Sequence, residues 1–251
     1  MSERDGYAPG VPCWVDTWQD DADSAAAFYS GVFGWDAARG EYSLFQLRGR
    51  DVAGLGSPVQ NAPAWTTYVW VDSADETAAK ARAAGGTIVA EPFDSLDGGR
   101  MAVIADPGGA VVAVWELGEH RGAQLVNEPG AWSMSMLSTP DTETAAAFYG
   151  EVFGWSTDSF GDFMMFRLEG YVGGEPTQPV PRDVIAVMAP GEQAAWTPDF
   201  WVADADAAAA RAGELGGQVV MGPFDTPVGR TAVLADPVGA VFSVSKVGPA
   251  T

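Results

Sequence analysis

The feature that most constrains the fold is a duplicated stretch of eleven residues. Ala25–Trp35 reads AAAFYSGVFGW and Ala145–Trp155 reads AAAFYGEVFGW, so nine of the eleven positions agree. Further landmarks recur in the same order, namely Gly85-Gly86 and Gly216-Gly217, Pro92-Phe93-Asp94 and Pro223-Phe224-Asp225, and Ala105-Asp106-Pro107 and Ala235-Asp236-Pro237. The eleven-residue stretches lie 120 positions apart, whereas the later shared motifs lie 130 to 131 positions apart. The second copy therefore contains an insertion of about ten residues around Gly170–Arg182. Two copies at this long period indicate paired globular domains rather than a solenoid.

Helix and strand signals follow one order in both copies. A strand over Val11–Trp18 precedes a helix that begins near Asp20 and Asp21 and ends at Gly34, and a capping box, Ser73-x-x-Glu76, opens the next helix. The predicted helices are Ser24–Phe33, Ser73–Ala84, Thr139–Phe153 with Pro140 at its first position, and Ala205–Leu215. Three short strands follow each helix. The pattern predicts an α+β fold of four β-α-β-β-β units, paired into two domains.

The length of 251 residues suits two domains that each bury a core of their own. We expect a loose N-terminus over 1–10, a first domain over 11–117, a linker over 118–130 and a second domain over 131–251. No signal peptide or membrane-crossing run is evident, so the sequence predicts a cytoplasmic protein without a membrane partner.

Charge and metal-binding residue types narrow the function classes. The net charge of −21 and the pI of about 4.1 argue against nucleic-acid binding, because the surface repels phosphate. Cys13 is the single cysteine and His120 the single histidine. Most zinc, iron and nickel sites rely on two or more such side chains, so the sequence predicts no metal and no other cofactor.

The ordered motifs resemble the vicinal oxygen chelate superfamily, which includes glyoxalase I, extradiol dioxygenases and bleomycin-resistance proteins. The resemblance rests on Phe-Tyr-x-x-Val-Phe-Gly at the end of the first helix, Ala-Ala-Gly-Gly in mid-domain and a final Asp-Pro-x-Gly-Ala strand. The chain is closer still to two-domain actinobacterial proteins labelled glyoxalase-like, hydroxylase or secreted antigen. The resemblance implies that each domain forms a curved mixed sheet around a cleft.

The family's metal enzymes place their ligands on the first, fourth, fifth and eighth strands of a domain. Counting from the motifs, with Asp72 aligned to Asp204 for the fifth strand, gives six of these positions on the first, fifth and eighth strands. They are Trp14, Thr66, Ala113, Met134, Pro198 and Ser243. None of these residues is a usual ligand for a divalent metal. We therefore do not extend glyoxalase or dioxygenase chemistry to this chain on the resemblance alone.

Alternation along the strands predicts which side chains line the first cleft. Large aromatic residues occupy the strand positions that face the same side of the sheet as Asp16. The alternate positions, which face the other side, hold small residues. The predicted wall comprises Trp14, Trp18, Tyr68, Trp70 and Trp115. Such a wall with one carboxylate suits a flat or amphipathic organic ligand, although the same rings could fill a closed core.

Asp16 and Tyr68 are the catalytic candidates. A buried carboxylate has a raised pKa, so Asp16 could serve as a general base or as counter-ion to a cationic ligand. A structural ion pair between Asp16 and Arg100 is equally consistent with the sequence. Arg100 and Arg230 occupy the same repeat position and are expected to pin a loop, and His120 is expected to be exposed in the linker.

The second cleft is predicted to be lined by more adaptable side chains and to be largely uncharged. The same count assigns its ligand-binding positions to Met134, Met136 and Phe200, with Ser138, Val202 and Ser243 beside them. Methionine surfaces adapt to varied apolar ligands, although alternating Met and Phe residues are also common in cores.

The leading hypothesis is a metal-independent protein of the glyoxalase and bleomycin-resistance type that binds, and so sequesters, a small aromatic or amphipathic organic molecule, for which a cationic ligand would suit the acidic protein. A second hypothesis is a metal-independent lyase, isomerase or hydrolase with Asp16 as base. A third is an interaction protein whose clefts are filled. A metal-dependent enzyme is disfavoured because the ligand residues are missing. Four units in one chain suffice for two clefts, so neither cleft requires a dimer.

Overall fold

Each half of the chain forms one mixed sheet of eight strands with two helices. The computed structural model describes residues 3–38, 40, 42–57, 63–95, 99–116, 118–173, 181–227 and 229–248, so the predicted insertion lies partly outside the described residues. No helix in these ranges is both long and apolar enough to cross a membrane.

The first sheet has the strand order β2-β3-β4-β1-β5-β8-β7-β6. Its strands are β1 (Pro12–Trp18), β2 (Asp36–Ala38), β3 (Tyr42–Leu47), β4 (Arg50–Gly56), β5 (Ala64–Val71), β6 (Thr87–Asp94), β7 (Arg100–Ala105) and β8 (Val111–Glu116). Strand β1 runs parallel to β4 and antiparallel to β5, and β5 runs parallel to β8. The first strands of the two units therefore meet at the centre of the sheet.

The second sheet repeats this order as β10-β11-β12-β9-β13-β16-β15-β14. Its strands are β9 (Trp132–Thr139), β10 (Ser156–Phe160), β11 (Phe163–Arg167), β12 (Val184–Pro190), β13 (Ala195–Trp201), β14 (Gln218–Thr226), β15 (Gly229–Ala235) and β16 (Val241–Val247). Two tandem copies of the predicted unit pair are thus confirmed.

The four helices are α1 (Ala22–Phe33), α2 (Ala74–Ala83), α3 (Thr142–Phe153) and α4 (Ala205–Glu214). Asp21 caps α1 and Gly34 ends it in the left-handed conformation, as predicted. The α3 boundary differs from the prediction: Asp141, not the Thr139-Pro140 pair, is the N-cap residue, because its carboxylate accepts the Thr144 backbone N–H. Thr139 belongs to β9 instead.

The two main hydrophobic cores are shared between the halves, which corrects the expectation of one core per domain. One core joins Phe28 and Trp35 of the first half to Phe200 and Phe242 of the second. The other joins the outer face of the first half, including Val114, to the α3 side of the second half. Each helix therefore packs against a unit of the opposite half, α1 with α4 and α2 with α3.

The duplicated Phe-Tyr pair makes the reciprocal contacts between the halves. The Tyr29 hydroxyl donates to Asp236 at 2.8 Å, and the Tyr149 hydroxyl donates to Asp106 at 3.1 Å. Both carboxylates belong to the Asp-Pro turn of the opposite half and also accept backbone N–H groups from that turn. The motif that defines the repeat is thus a joining element rather than a cleft element.

Candidate functional site

Asp16 lies at the centre of the concave face of the first sheet, where β1 pairs with β4 and β5. Its register partners are Gly54 and Thr66. A Cβ on Gly54 would overlap the Tyr42 hydroxyl, and a Cβ on Gly56 would overlap the Trp18 ring. Alternate glycines on one strand therefore make room for two side chains that cover Asp16.

One oxygen of the Asp16 carboxylate accepts three hydrogen bonds. Oδ2 accepts from the Tyr68 hydroxyl at 2.7 Å, the Tyr42 hydroxyl at 2.9 Å and the Trp18 indole N–H at 3.1 Å. The other oxygen, Oδ1, is buried and has no hydrogen-bond partner among the residues that the structure describes. The predicted contact between Asp16 and Tyr68 therefore exists, and Tyr42 completes a cluster that the sequence analysis missed.

Burial raises the pKa of Asp16 to about 6, and the three donated hydrogen bonds oppose that rise. The residue is only 1% exposed. The ion pair with Arg100 that the sequence left open is wrong, because Arg100 binds Asp75 and Asp94 at the outer edge of the sheet. Arg230 makes the matching pairs with Asp206 and Asp225, which agrees with the predicted structural role of both arginines.

The aromatic residues predicted for the first cleft are brought together there, but they are largely covered. Trp14, Tyr68, Trp70 and Trp115 are between 2% and 7% exposed, whereas Trp18 is 39% exposed at the rim. The Trp14 indole donates to the Tyr42 hydroxyl at 2.9 Å, while the buried Trp115 indole N–H has no partner within the described part of the chain. The wall is therefore aromatic and closely packed, with one unpaired donor and one unpaired acceptor.

His120 closes this cleft, contrary to the expectation that it is exposed. Its ring stacks on Trp115 with centroids 5.1 Å apart and meets Trp14 edge-on at 4.5 Å. The Gly122 backbone N–H donates to the His120 Nδ1 atom at 3.3 Å, which holds the ring in a linker turn. Only 18% of the His120 side chain is exposed. The linker therefore covers the first cleft.

The concave face of the second sheet carries the predicted Met134 and Met136, both half-buried. Phe200 is wrong as a cleft residue: it is fully buried in the shared core against Phe33 and Trp35. The error is one residue of register, since the N-cap residue Asp204 corresponds to Ser73 and not to Asp72. A slip of one position moves a side chain to the opposite face of a strand.

The corrected register brings Asp199 to the place that Tyr68 holds in the first half. Met134, Asp199 and Ser243 are side by side across β9, β13 and β16, as Trp14, Tyr68 and Ala113 are in the first sheet. The prediction of a largely uncharged second cleft is therefore wrong. Pairing the two helix caps would have revealed Asp199 from the sequence.

Three serine hydroxyls surround the Asp199 carboxylate. Ser245 and Ser243 donate to Oδ1 at 2.7 and 2.8 Å, and Ser133 donates to Oδ2 at 2.9 Å. Burial raises the pKa of Asp199, and the serine hydrogen bonds oppose the shift. Ser133 reaches the carboxylate from a β-bulge, where the pairing of β9 with β13 shifts by one residue.

Neither cleft fits the metal centre that the fold family implies. The three side-by-side positions of the first sheet, Trp14, Tyr68 and Ala113, hold no usual metal-binding side chain. The matching positions of the second sheet hold one carboxylate, that of Asp199. Within the described ranges no group of three or more His, Cys, Asp or Glu residues is arranged so that it could hold a metal ion. A lone carboxylate with indole, thioether and hydroxyl neighbours is a poor site for a divalent transition metal, so no chemical step is derived through one.

A cavity of about 410 Å³ lies away from both concave faces, between α2 and α3. Lys80 shares its walls with Asp72, Glu76 and Glu151. Neither Asp16 nor Asp199 lines it. Charges of opposite sign are mixed there, and the buried unpaired polar groups of the first cleft lie elsewhere. The concave faces are therefore the stronger candidates for chemistry.

Two family models match the two halves. The model described as Glyoxalase/Bleomycin resistance protein/Dioxygenase superfamily matches residues 14–114, and the model described as Glyoxalase-like domain matches residues 134–245. Each match spans most of one eight-stranded sheet.

Curated relatives cover nearly the whole chain. "Putative glyoxylase CFP32" of Mycobacterium tuberculosis is 38% identical over 268 residues, which span 99% of this chain and 99% of that protein. "Anthracycline biosynthesis protein DnrV" of Streptomyces peucetius is 36% identical over 261 residues, which span 95% of this chain and 94% of that protein.

Solved structures share the fold at low sequence identity. A Mn(II)-bound glyoxalase from Novosphingobium aromaticivorans has a TM-score of 0.66 at 18% identity, covering 95% of this chain and 82% of that one. The 2,3-dioxygenase LapB of Pseudomonas sp. KL28 has a TM-score of 0.64 at 14% identity, covering 96% and 94%. With the near full-length relatives and a family match in each half, the chain belongs to the glyoxalase/bleomycin resistance protein/dioxygenase superfamily.

Proposed function

We propose that this protein binds a small aromatic or amphipathic organic molecule in its first cleft without a resident metal ion. The observation that carries the proposal is the unpaired Oδ1 of Asp16, buried under an aromatic wall. A buried acceptor without a partner costs about 1–3 kcal/mol, which a ligand donor bound to it would offset. The unpaired Trp115 indole N–H offers a second anchor in the same cleft.

The chemistry of the wall favours a flat, partly hydroxylated ligand. Indole and phenol faces give large contact areas to planar rings, and the two unpaired groups would accept one hydrogen bond and donate one. A ligand hydroxyl can pair with Asp16, and a ligand carbonyl can pair with Trp115. Entry requires the His120 turn to move away from Trp14 and Trp115, which it covers without a covalent link.

The name of one relative suggests a ligand class. DnrV is named an anthracycline biosynthesis protein and is similar along 95% of this chain. Anthracyclines are planar polycyclic molecules that carry phenolic hydroxyls, quinone carbonyls and an amino sugar. Their ring system matches the aromatic wall and its two hydrogen-bonding groups. We therefore propose planar polycyclic phenols or quinones as the ligand class of the first cleft.

Calorimetric titration with the sugar-free aglycone of an anthracycline tests this proposal. Wild-type protein and the matched second-cleft variant Asp199→Asn should bind the aglycone equally, whereas Asp16→Asn should bind it about tenfold more weakly. Trp70→Ala should also weaken binding. Equal affinity of the wild type and Asp16→Asn would reject the first cleft as the site. Near-stoichiometric zinc, iron, manganese or nickel in the purified protein would reject the metal-free part of the proposal.

A second candidate function is acid-base catalysis by Asp16, and one observation favours it. The Asp16 pKa is raised to about 6, and the Tyr68 hydroxyl lies 2.7 Å from Oδ2. A carboxylate poised near neutral pH can take a proton from a carbon next to a carbonyl, while a neighbouring phenol can donate to the developing oxyanion. Reprotonation of the resulting enolate at another carbon is an isomerase reaction, and loss of a leaving group from it is a lyase reaction. A hydrolase reaction would instead require Asp16 to take the proton of an attacking water.

Mass spectrometry of ligands after incubation separates catalysis from binding. If the protein is an enzyme, Asp16→Asn should lower turnover by far more than it lowers affinity, and Tyr68→Phe should lower turnover to a smaller degree. Unchanged turnover in Asp16→Asn would dismiss Asp16 as the base. Aglycone that is bound but recovered unchanged would leave binding as the function of this site for that ligand class.

A further inference from the structure

The second cleft presents hydrogen-bond acceptors around one carboxylate. The hydroxyl protons of Ser133, Ser243 and Ser245 point to Asp199, so the serine oxygens turn lone pairs towards the surroundings. Thr231 lies 3.0 Å from the Ser245 hydroxyl and extends the same network. A group of this kind is complementary to a ligand that brings donors rather than acceptors.

No described Lys or Arg forms an ion pair with Asp199. Arg230, on the adjacent strand β15, is occupied by Asp206 and Asp225, and Arg167 is occupied by Asp158 and Asp183. The carboxylate therefore lacks a positive partner within the part of the chain that the structure describes. A partly buried negative charge without a counter-ion is best matched by a cation from outside the chain.

The surface beside Asp199 is apolar and more accessible than the first cleft. Met134 is packed with Met165, Val184 and Val187 in a satellite cluster on this side of the sheet. Met134, Met136, Asp199 and Trp201 are all half-buried, in contrast to the covered aromatic residues of the first half. Thioether side chains adapt to varied apolar shapes, so this surface can receive the body of an amphipathic molecule.

A small cavity adjoins the same corner. It measures about 30 Å³, and Asn127, Trp132, Ser133 and Met134 are among the residues that line it. Arg4 also lines it, and the Arg4 guanidinium donates to the Gly173 carbonyl. Trp132 is only 3% exposed, yet neither its indole N–H nor the side-chain oxygen of Asn127 has a hydrogen-bond partner in the described ranges. The serine that contacts Asp199 is therefore shared with a pocket that offers further unpaired polar groups.

We infer that the second cleft is a separate binding site for an amphipathic organic cation, whose ammonium group pairs with Asp199 while its apolar body lies on Met134 and Met136. The inference does not depend on the proposed function of the first cleft, because no residue is common to the two carboxylate clusters. The chain thereby holds two sites of different chemistry, one for planar hydroxylated rings and one for amines.

Nuclear magnetic resonance of protein labelled at its methionine methyl groups tests the inference. Titration with 4-phenylbutylamine in mildly alkaline buffer should shift the signals of Met134 and Met136, assigned through Met→Leu variants. The signals of Met101 in the first half and Met221 on β14 should stay in place. Asp199→Asn should weaken binding of the amine about tenfold, whereas Asp16→Asn should leave it unchanged.

The neutral analogue 4-phenyl-1-butanol is the matched probe, and it tests the charge on unaltered protein even if Asp199→Asn folds poorly. The alcohol should bind the wild type about tenfold more weakly than the amine. Equal binding of amine and alcohol would overturn the inference, as would unchanged amine binding in Asp199→Asn. Shifts confined to Met101 or Met221, or no shift at all, would also overturn it. Failure of the aglycone to bind the first cleft would not alter any of these outcomes.

Discussion

The two halves of the chain are joined by the same residues and differ in their concave faces. Tyr29 and Tyr149 make equivalent contacts with the Asp-Pro turn of the opposite half. At the cleft, however, the first half has Tyr68 hydrogen-bonded to Asp16, and the second half has Asp199 surrounded by serines. The first cleft is covered by the His120 turn, and the second is half-open. The two halves thus share their scaffold contacts and differ in the side chains of their concave faces.

The largest effect should come from the charge in the closed cleft. Asp16→Asn should stabilise the protein at neutral pH by up to about 3 kcal/mol, since a pKa raised by about two units corresponds to that free energy. The folded state binds the Asp16 proton more tightly than the unfolded state does, so wild-type stability falls as pH rises from about 4 to about 6. Denaturant unfolding of both proteins across this range measures the effect.

The difference between the wild-type and Asp16→Asn curves isolates Asp16 from the other carboxylates. The variant should lack the part of the pH slope that Asp16 contributes. Asp199→Asn is the matched control, and its gain should be smaller because Asp199 is only half-buried. A difference between wild type and Asp16→Asn that stays constant with pH would contradict the raised pKa.

Gly54→Ala should disrupt the first cleft selectively. The new Cβ would overlap the Tyr42 hydroxyl, so Tyr42 must leave Asp16, at an expected loss of about 2 kcal/mol of unfolding free energy. Thermal unfolding gives the loss, and aglycone binding should weaken with it. The same substitution at Gly213, on α4 with open space around it, should be neutral or slightly stabilising. Equal stability of the two variants would show that Gly54 is not required by the Asp16 cluster.

The joining contacts should respond unequally to loss of the tyrosine hydroxyl. Asp236 also accepts from the Gln19 side chain, whereas Tyr149 is the one described side chain that donates to Asp106. Tyr149→Phe should therefore lower the unfolding free energy by about 1–2 kcal/mol, and Tyr29→Phe by less. Denaturant unfolding of the two variants makes the comparison. A larger loss in Tyr29→Phe would mean that Gln19 does not compensate.

The smallest effect is expected from opening the first cleft. His120→Ala removes two ring contacts, worth about 0.5 kcal/mol each at the lower end of the range for such pairs, and uncovers Trp14 and Trp115. Acrylamide should then quench tryptophan fluorescence more strongly, and aglycone should associate faster. His120→Phe, which keeps a ring in place, is the matched control. Unchanged quenching in His120→Ala would mean that other groups keep the first cleft closed.

Most of the architecture could be predicted from the sequence, because it depends on local sequence signals that occur in both copies of the repeat. Helix caps such as Asp21 and Ser73, terminating glycines and alternating strands gave element positions close to those observed. The shared facing of Asp16 and the aromatic residues of the first sheet could be predicted for the same reason, whereas the contacts of Tyr42 and His120 could not. Asp16 and its aromatic neighbours lie on strands close to recognisable motifs, and counting from those motifs gave the face of the sheet on which each side chain lies.

The prediction of the second cleft was wrong because of an alignment error of a single position. Aligning Asp72 with Asp204 shifted β13 by one residue, which exchanged Phe200 for Asp199 as the cleft residue. Strand alternation has a period of two, so an error of one reverses every facing on that strand. The bulge at Ser133 also changes the side of the sheet on which the following β9 side chains lie, which simple strand alternation does not predict.

The sequence by itself determined the four repeated units, their order and the residues of the joining motif, because capping, turn and alternation signals act over a few neighbouring positions. The tertiary structure decided that the cores are shared between the halves and that Tyr29 contacts Asp236. It also decided that His120 covers the first cleft and that serines from β9 and β16 surround Asp199. These contacts join residues far apart in the chain, and only the packing of whole sheets and helices fixes which of them meet.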